Sequence, residues 1–165
     1  MRPTADEVME TVLSTFEEQI LPHVAEGLPH SLAITTRNLL RHVQLRMKLE
    51  ASSLWEDNRE LGLLLAAIAD YAAGADGLGD LAQAVRIEVE NAKPSGFQGL
   101  AELSHEAEQL RWTLTCAIER LQQARHAHRG EAPYANLRQQ IRDYLRHQLE
   151  REAAWIEPAF TGPRR

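Results

Sequence analysis

Apolar residues recur three and four positions apart along most of this chain, the spacing that places side chains on one face of an α-helix. The first helix begins at Thr4, whose spacing to Glu7 is that of a capping box. Pro22 cannot donate a backbone hydrogen bond, so we expect this helix to end or kink near Leu21. The apolar positions that the pattern turns inward are Val8, Val12, Leu13, Phe16 and Ile20.

Two more helices are predicted in the stretch that follows. The second starts close to Pro29, a residue suited to a first helical turn, and runs to about Glu50. Ser52 or Ser53 is positioned to cap a third helix, which ends in the glycine-rich sequence GADGLGD. The apolar side of the second helix carries Leu32, Leu39, Val43 and Met47.

The second half of the chain contains three further helical segments. They cover about residues 80–92, 100–126 and 133–156, and the sequence KPSGFQG between the first two is the best candidate for a boundary between halves. The positions predicted to face the core are Leu81, Val85 and Val89, then Leu103, Leu110, Leu114, Ile118 and Leu121, and finally Leu137, Ile141, Leu145 and Leu149.

These patterns together predict the fold class. Strands would show a sustained alternation of apolar and polar residues, and the sequence has none. Each long helix has one apolar face, which must be buried against another helix. We therefore predict an all-α, up-and-down helical bundle of five or six helices. It forms a single domain over residues 1–165, with a possible sub-boundary near 93–99.

Charge and hydropathy exclude several classes of partner. With 24 acidic against 18 basic residues the net charge is −6, which opposes binding to nucleic acid phosphates. The longest apolar run, Leu61–Ala69, is about half the length of a membrane span, so we expect no membrane association. The chain starts with no signal-peptide pattern, and its single cysteine, Cys116, is predicted to be a small buried residue. A cytoplasmic location follows.

Motifs for catalysis are missing, and metal ligands are too few. No Gly-x-Ser-x-Gly sequence occurs, and no glycine-rich loop joins a strand to a helix. Bundle proteins with two metal ions supply two Glu-x-x-His motifs, whereas this chain has one, formed by Glu102 and His105. We therefore expect no catalytic residue, no cofactor and no native metal, with Glu102 and His105 as the weak candidate ligands.

Asn38 is the most notable polar position of the second helix. It lies beside Arg37 and within one helical turn of Arg41 and His42. An asparagine in the middle of a helix is slightly unfavourable, so its presence needs a reason. Either it is hydrogen-bonded to a neighbouring helix on the bundle seam, or it contacts a ligand together with these neighbours.

Three arginines follow one line of the sixth helix. Arg138, Arg142 and Arg146 are four residues apart, interleaved with the acidic residues Asp143 and Glu150. Mixed charges at this spacing are typical of a solvated face. The alternative is an anion-binding patch, because the guanidinium group matches the geometry of phosphate.

Residues 3–97 resemble a bacterial helical family of unknown function. The segments PTADEVMETVLSTFEEQILPHV, LPHSLAITTRNLLRHVQLRMKLE and LLLAAIADYAAGADGLGDLAQAVRIEVENAKPSGF follow the order of helices in that family. Its members are often encoded beside acyl-CoA dehydrogenase-like and aminoglycoside-phosphotransferase-like proteins. Asn38 falls on the family's asparagine, although Thr35-Thr36-Arg37 replaces the usual Arg-Val-Ala. The resemblance implies an accessory role near acyl-CoA or phosphotransfer chemistry.

The sequence thus favours a non-catalytic accessory or protein-interaction module. Its partner is a second copy of itself or a metabolic enzyme. A homodimer is expected because surplus apolar surface on the fifth and sixth helices would be buried by a two-fold contact. The alternative is a small-molecule-binding protein or enzyme with a pocket between helices near Asn38, and less favourably a metal-dependent one.

Overall fold

The computed structural model describes residues 2–93 and 98–160, without the side chains of residues 155 and 157–160. These residues contain helices and no strand, which confirms the predicted all-α bundle. A π-helical turn, Phe16–Ile20, and a 3-10 turn, Leu21–His23, follow the first helix. The α-helices are α1 (Ala5–Thr15), α2 (Leu28–Gly74), α3 (Gly79–Ala92), α4 (Leu100–Gln123), α5 (Arg125–His128) and α6 (Ala132–Phe160).

Helix α1 starts where its capping box predicts. The Thr4 hydroxyl accepts the Glu7 N–H at 3.2 Å, and the Glu7 carboxylate accepts the Thr4 N–H at 2.7 Å. The regular helix then ends at Thr15, earlier than the predicted break near Leu21. Because Pro22 cannot donate to the carbonyl one turn before it, the hydrogen-bond pattern changes upstream, first to a π turn and then to a 3-10 turn.

Helix α2 is one uninterrupted helix of 47 residues, so the predicted break at Ser52 or Ser53 is wrong. The stretch from Glu50 to Leu54 holds no glycine or proline, and serine is only slightly unfavourable inside a helix. The two predicted helices are therefore parts of one element.

The chain forms two compact units, Met1–Glu50 with Glu150–Arg165, and Ala51–Leu149. The division falls within α2 and α6. This division does not coincide with the possible sub-boundary predicted near 93–99. Most of that segment, residues 94–97, lies outside the described residues.

The second unit has a well-defined apolar core. The predicted inward positions Leu81 and Val85 are buried there, and so are four of the five predicted on α4. On α6 the prediction is half right, since Leu137 and Ile141 are buried whereas Leu145 and Leu149 are exposed. The side chains that are almost completely enclosed are Leu61, Leu65, Ile68, Leu78 and Val85.

Candidate functional site

The first unit leaves the apolar side of α2 exposed to solvent. Five large apolar side chains between 43% and 73% exposed fall within roughly a 100° arc of the helix, at 3.6 residues per turn. Four of them are the positions predicted to face inward, and that prediction is wrong. We call this surface the α2 face, and its residues are Leu28, Leu32, Leu39, Val43 and Met47.

The other side of α2 explains why this face is free. Arg41 lies 2.5 Å from the Glu17 carboxylate, and Lys48 lies 3.1 Å from that of Asp6. These ion pairs join the polar side of α2 to α1 and the π turn after it. Of the apolar positions of α1, only Leu13 is fully buried. These ion pairs thus lie on the opposite side of α2 from its five exposed apolar side chains.

The four site candidates on this helix are all half-buried. The Asn38 Oδ1 accepts hydrogen bonds from Arg37 Nε at 3.3 Å and Nη2 at 3.2 Å, while Arg41 binds Glu17. Asn38 thus bonds to its own neighbour, whereas the sequence pattern left open a bond to another helix or a contact with a ligand. His42 lies one turn further on, also half-buried.

The second unit contains a buried ion pair that the sequence reasoning missed. Asp57 of α2 is 2% exposed, and its Oδ2 accepts from Arg111 Nη2 of α4 at 2.7 Å. The Tyr144 hydroxyl of α6 donates to the same oxygen at 3.4 Å. Burial raises the pKa of the Tyr144 hydroxyl, and the Asp57 charge raises it further, so the phenol stays protonated and remains a donor.

Three more polar contacts extend this network along α2. The Asn58 amide donates to the Leu103 carbonyl at 2.9 Å and to Glu106 at 3.0 Å, and Glu60 lies 2.7 Å from the His147 Nδ1. Asp57 and Asn58 stand four and three residues before the buried Leu61, on the same side of the helix. That shared side was the available signal. Because Asp57 and Asn58 are buried and bond to α4, their contacts hold these helices together.

A buried histidine fixes the turn between α5 and α6. The His128 ring, 5% exposed, places Nδ1 3.1 Å from Glu131 and Nε2 3.3 Å from the Asp76 carbonyl oxygen. Gly130 closes the turn with φ +102°, a value that residues with a side chain rarely adopt. The Tyr134 ring lies beside the histidine, with centroids 6.2 Å apart. The turn is therefore firmly held.

Arginines from this turn and from α6 meet around one open cavity of about 380 Å³, which we call the arginine cavity. Two of them, Arg138 and Arg142, belong to the predicted anion patch. Arg146, the third arginine of that predicted patch, pairs with Asp143 at 3.0 Å and does not line the cavity. The arginines that line the cavity are Arg125, Arg129, Arg138 and Arg142.

The sequence reasoning missed Arg125 and Arg129. Both lie before the turn at Gly130, and no helical periodicity relates them to α6, so only the folded turn brings them near that helix. An apolar cleft of about 190 Å³ shares Tyr134, Arg138 and Arg142 with the cavity. Its other lining residues are Ile118, Leu121, Gln122, Ile141 and Leu145.

The two weak candidate metal ligands, Glu102 and His105, lie in different surroundings. The Glu102 carboxylate accepts the Gly99 N–H at 3.0 Å and so caps α4, while His105 is exposed. Within residues 2–93 and 98–160, no three His, Cys, Asp or Glu side chains are grouped to hold a metal ion. Cys116 is exposed, which corrects the prediction that it is buried, because it lies on the outer side of α4 next to the buried Ala117.

No helix in the described part of the chain combines the length and the apolar character that crossing a membrane requires. No family model, curated protein or solved structure matches this chain. The resemblance over residues 3–97 therefore stays a prediction.

Proposed function

We propose that the protein is a non-catalytic protein-interaction module and that a second copy of the same chain covers its α2 face. The observation that carries this proposal is the set of five large apolar side chains exposed on one side of one helix. Contiguous apolar surface of this kind is typical of interaction sites, whereas single exposed leucines are ordinary.

The spacing of the face supports a second copy as the partner. Together with the exposed Thr36, its positions are 28, 32, 36, 39, 43 and 47, and the intervals 4, 4, 3, 4 and 4 read the same in both directions. In an antiparallel pair about a two-fold axis, Leu28 then lies opposite Met47, and Leu32 opposite Val43. A two-fold contact requires a patch that is complementary to itself.

Polarity along the face is also suitable. The Thr36 hydroxyl donates to the Leu32 carbonyl at 3.0 Å, so its hydrogen bond is satisfied within the helix. Arg46 and Glu50, at the end of the stripe, form an ion pair with each other. No charged residue points along the arc between Leu28 and Val43, as is usual for the centre of an interface.

Light scattering on the full chain at a series of concentrations tests the proposal. We expect a mass of twice 18.6 kDa at high concentration and dissociation on dilution. Leu39→Asp places two carboxylates in each contact, so we expect the dimer to weaken at least about 10-fold.

Leu63→Asp is the matched control, since Leu63 is a leucine of the same helix that is 66% exposed and lies outside the α2 face. It leaves the dimer unchanged if the proposal holds. A single-chain mass at every concentration, or equal weakening by the two variants, contradicts it.

A further inference from the structure

The arginine cavity has the features of an anion site, and the proposed dimer does not depend on it. Four arginines line it in a protein whose net charge is −6. In the described ranges none of these four lies within ion-pairing distance of a carboxylate. Other arginines do form carboxylate pairs, namely Arg41, Arg46, Arg86, Arg111, Arg120 and Arg146.

One carboxylate also lines the cavity, and its charge is already engaged. Glu131 faces the His128 ring at 3.1 Å and accepts from the Tyr71 hydroxyl at 3.4 Å. With four positive charges against this one, the cavity retains an excess of positive charge. An anionic ligand would balance that excess.

Three of the lining side chains have contacts of their own that hold them in the absence of a ligand. The buried Tyr134 donates its hydroxyl to the Leu121 carbonyl at 2.9 Å, and the Arg138 guanidinium lies 6.0 Å from the centre of its ring. Arg142 donates to the Gln139 side chain at 2.6 Å. Groups held in this way lose little freedom on binding, which favours affinity.

We propose that the arginine cavity binds a phosphate monoester whose remaining part is apolar. Guanidinium groups bind phosphate oxygens through pairs of parallel hydrogen bonds, and several of them suit a dianion better than a carboxylate. The adjoining cleft, lined by Ile118, Leu121, Ile141 and Leu145, receives the apolar part. The ligand's two ends thus match the two halves of the site.

Calorimetric titration of the full chain at constant ionic strength tests this with inorganic phosphate, phenyl phosphate and phenol. We expect phenyl phosphate to bind at least about 10-fold more tightly than inorganic phosphate, because its ring buries apolar surface. Phenol, which lacks the charge, gives no measurable binding. Equal affinity for the two anions, or no binding of phenyl phosphate, overturns the proposal.

Two variants on one helix separate the site from general charge attraction. Arg138→Gln combined with Arg142→Gln is expected to weaken phenyl phosphate binding at least about 10-fold. Arg146→Gln removes one positive charge from the same helix, one turn after Arg142 and outside the cavity, and leaves binding unchanged. Should Arg146→Gln weaken binding as much as the double variant, attraction to the helix as a whole explains the data and the site is wrong.

Two milder variants keep the test decisive if the double variant folds poorly. Arg138→Lys keeps the charge but not the paired donors, so we expect weaker binding of both anions. Leu145→Asn lies in the apolar cleft and is 40% exposed in the native chain. It reduces the preference for phenyl phosphate over inorganic phosphate, and an unchanged preference contradicts the assignment of the cleft.

Discussion

Asp57 of α2 and Arg111 of α4 form an ion pair, 2.7 Å long, in which the carboxylate is almost fully buried and the guanidinium is partly open to solvent. The asymmetry matters, because a buried charge that loses its partner retains the full cost of desolvation. Tyr144 shares the same carboxylate oxygen, so three helices of the second unit meet at one atom. Breaking this pair therefore tests how much it contributes to the stability of the second unit.

Arg111→Met should destabilise the fold by about 3 kcal/mol, since it removes the guanidinium that offsets the cost of burying the Asp57 carboxylate. Chemical denaturation measures the free energy of unfolding. Adding Asp57→Asn to Arg111→Met removes the buried negative charge and should restore part of the lost stability.

Arg86→Met is the control, because the Arg86–Asp70 pair is also interhelical but exposed on both sides. We expect it to change the free energy of unfolding by less than about 1 kcal/mol. Equal effects of Arg86→Met and Arg111→Met would show that burial of Asp57 is not what makes its pair important.

A disulfide can report the direction of pairing in the proposed dimer. In a Cys116→Ser background, Leu32→Cys combined with Val43→Cys should cross-link two chains, because the antiparallel arrangement places these positions opposite each other. Within one chain they are about 16 Å apart along the helix, too far for a disulfide. Leu32→Cys alone should not cross-link, and non-reducing electrophoresis gives the answer. In a parallel arrangement position 32 would face its own copy, so Leu32→Cys alone would cross-link as well.

Acid should loosen the start of α1. Hydrogen bonds from the Thr4 backbone and hydroxyl hold the pKa of Glu7 below its ordinary value of 4.5. Because the pKa of Glu7 is lower in the folded chain, the cap stabilises the helix fully when the pH is above the ordinary pKa of 4.5. This contribution is lost as the pH falls through the pKa of the folded chain. Hydrogen exchange at the amides of the first turn should therefore accelerate on acidification.

Glu7→Gln provides the comparison for this effect, since its side chain no longer titrates. Exchange in the first turn should then vary less with acidification, once the intrinsic pH dependence of exchange is removed. A corrected profile identical to that of the unmodified chain would exclude Glu7 as the source.

Two glycines should respond to alanine in opposite directions. Gly130 has φ +102°, so Gly130→Ala strains the turn and should cost about 1 kcal/mol or more, although a Cβ would meet no other atom. Gly62 lies inside α2 with equal space around it, so Gly62→Ala should stabilise the protein by up to about 1 kcal/mol. Thermal unfolding measures the change in stability that each substitution causes. Changes of the same sign would contradict this prediction.

Periodicity predicted the helices and much of one core, because a stripe such as Leu103, Leu110 and Leu114 needs only a neighbour to become buried. It could not say whether a neighbour exists. Leu32 and Leu39 have the same spacing and remain exposed, since the contacts of the first unit form on the other side of α2. The predicted helix break at Ser52 is wrong because a residue that can cap a helix also fits inside one.

Polar positions were harder to predict for a related reason. The sequence pointed to Asn38 as an amide that either bonds across helices or contacts a ligand, whereas the amide that bonds to α4 is that of Asn58. The difference lies in the neighbouring element, which one helix alone does not reveal. Likewise, Arg138 and Arg142 were found by their spacing, but their companion Arg129 reaches the cavity only through the turn at Gly130.

The mirror-like intervals along the α2 face set an upper limit on assembly. A chain that binds through this stripe occupies its partner's stripe and its own in the same event, so nothing is left to recruit a third molecule. Growth into filaments would need a different contact. Inserting one residue between Leu32 and Leu39 would rotate one end of the stripe by about 100° and destroy the match on both chains at once.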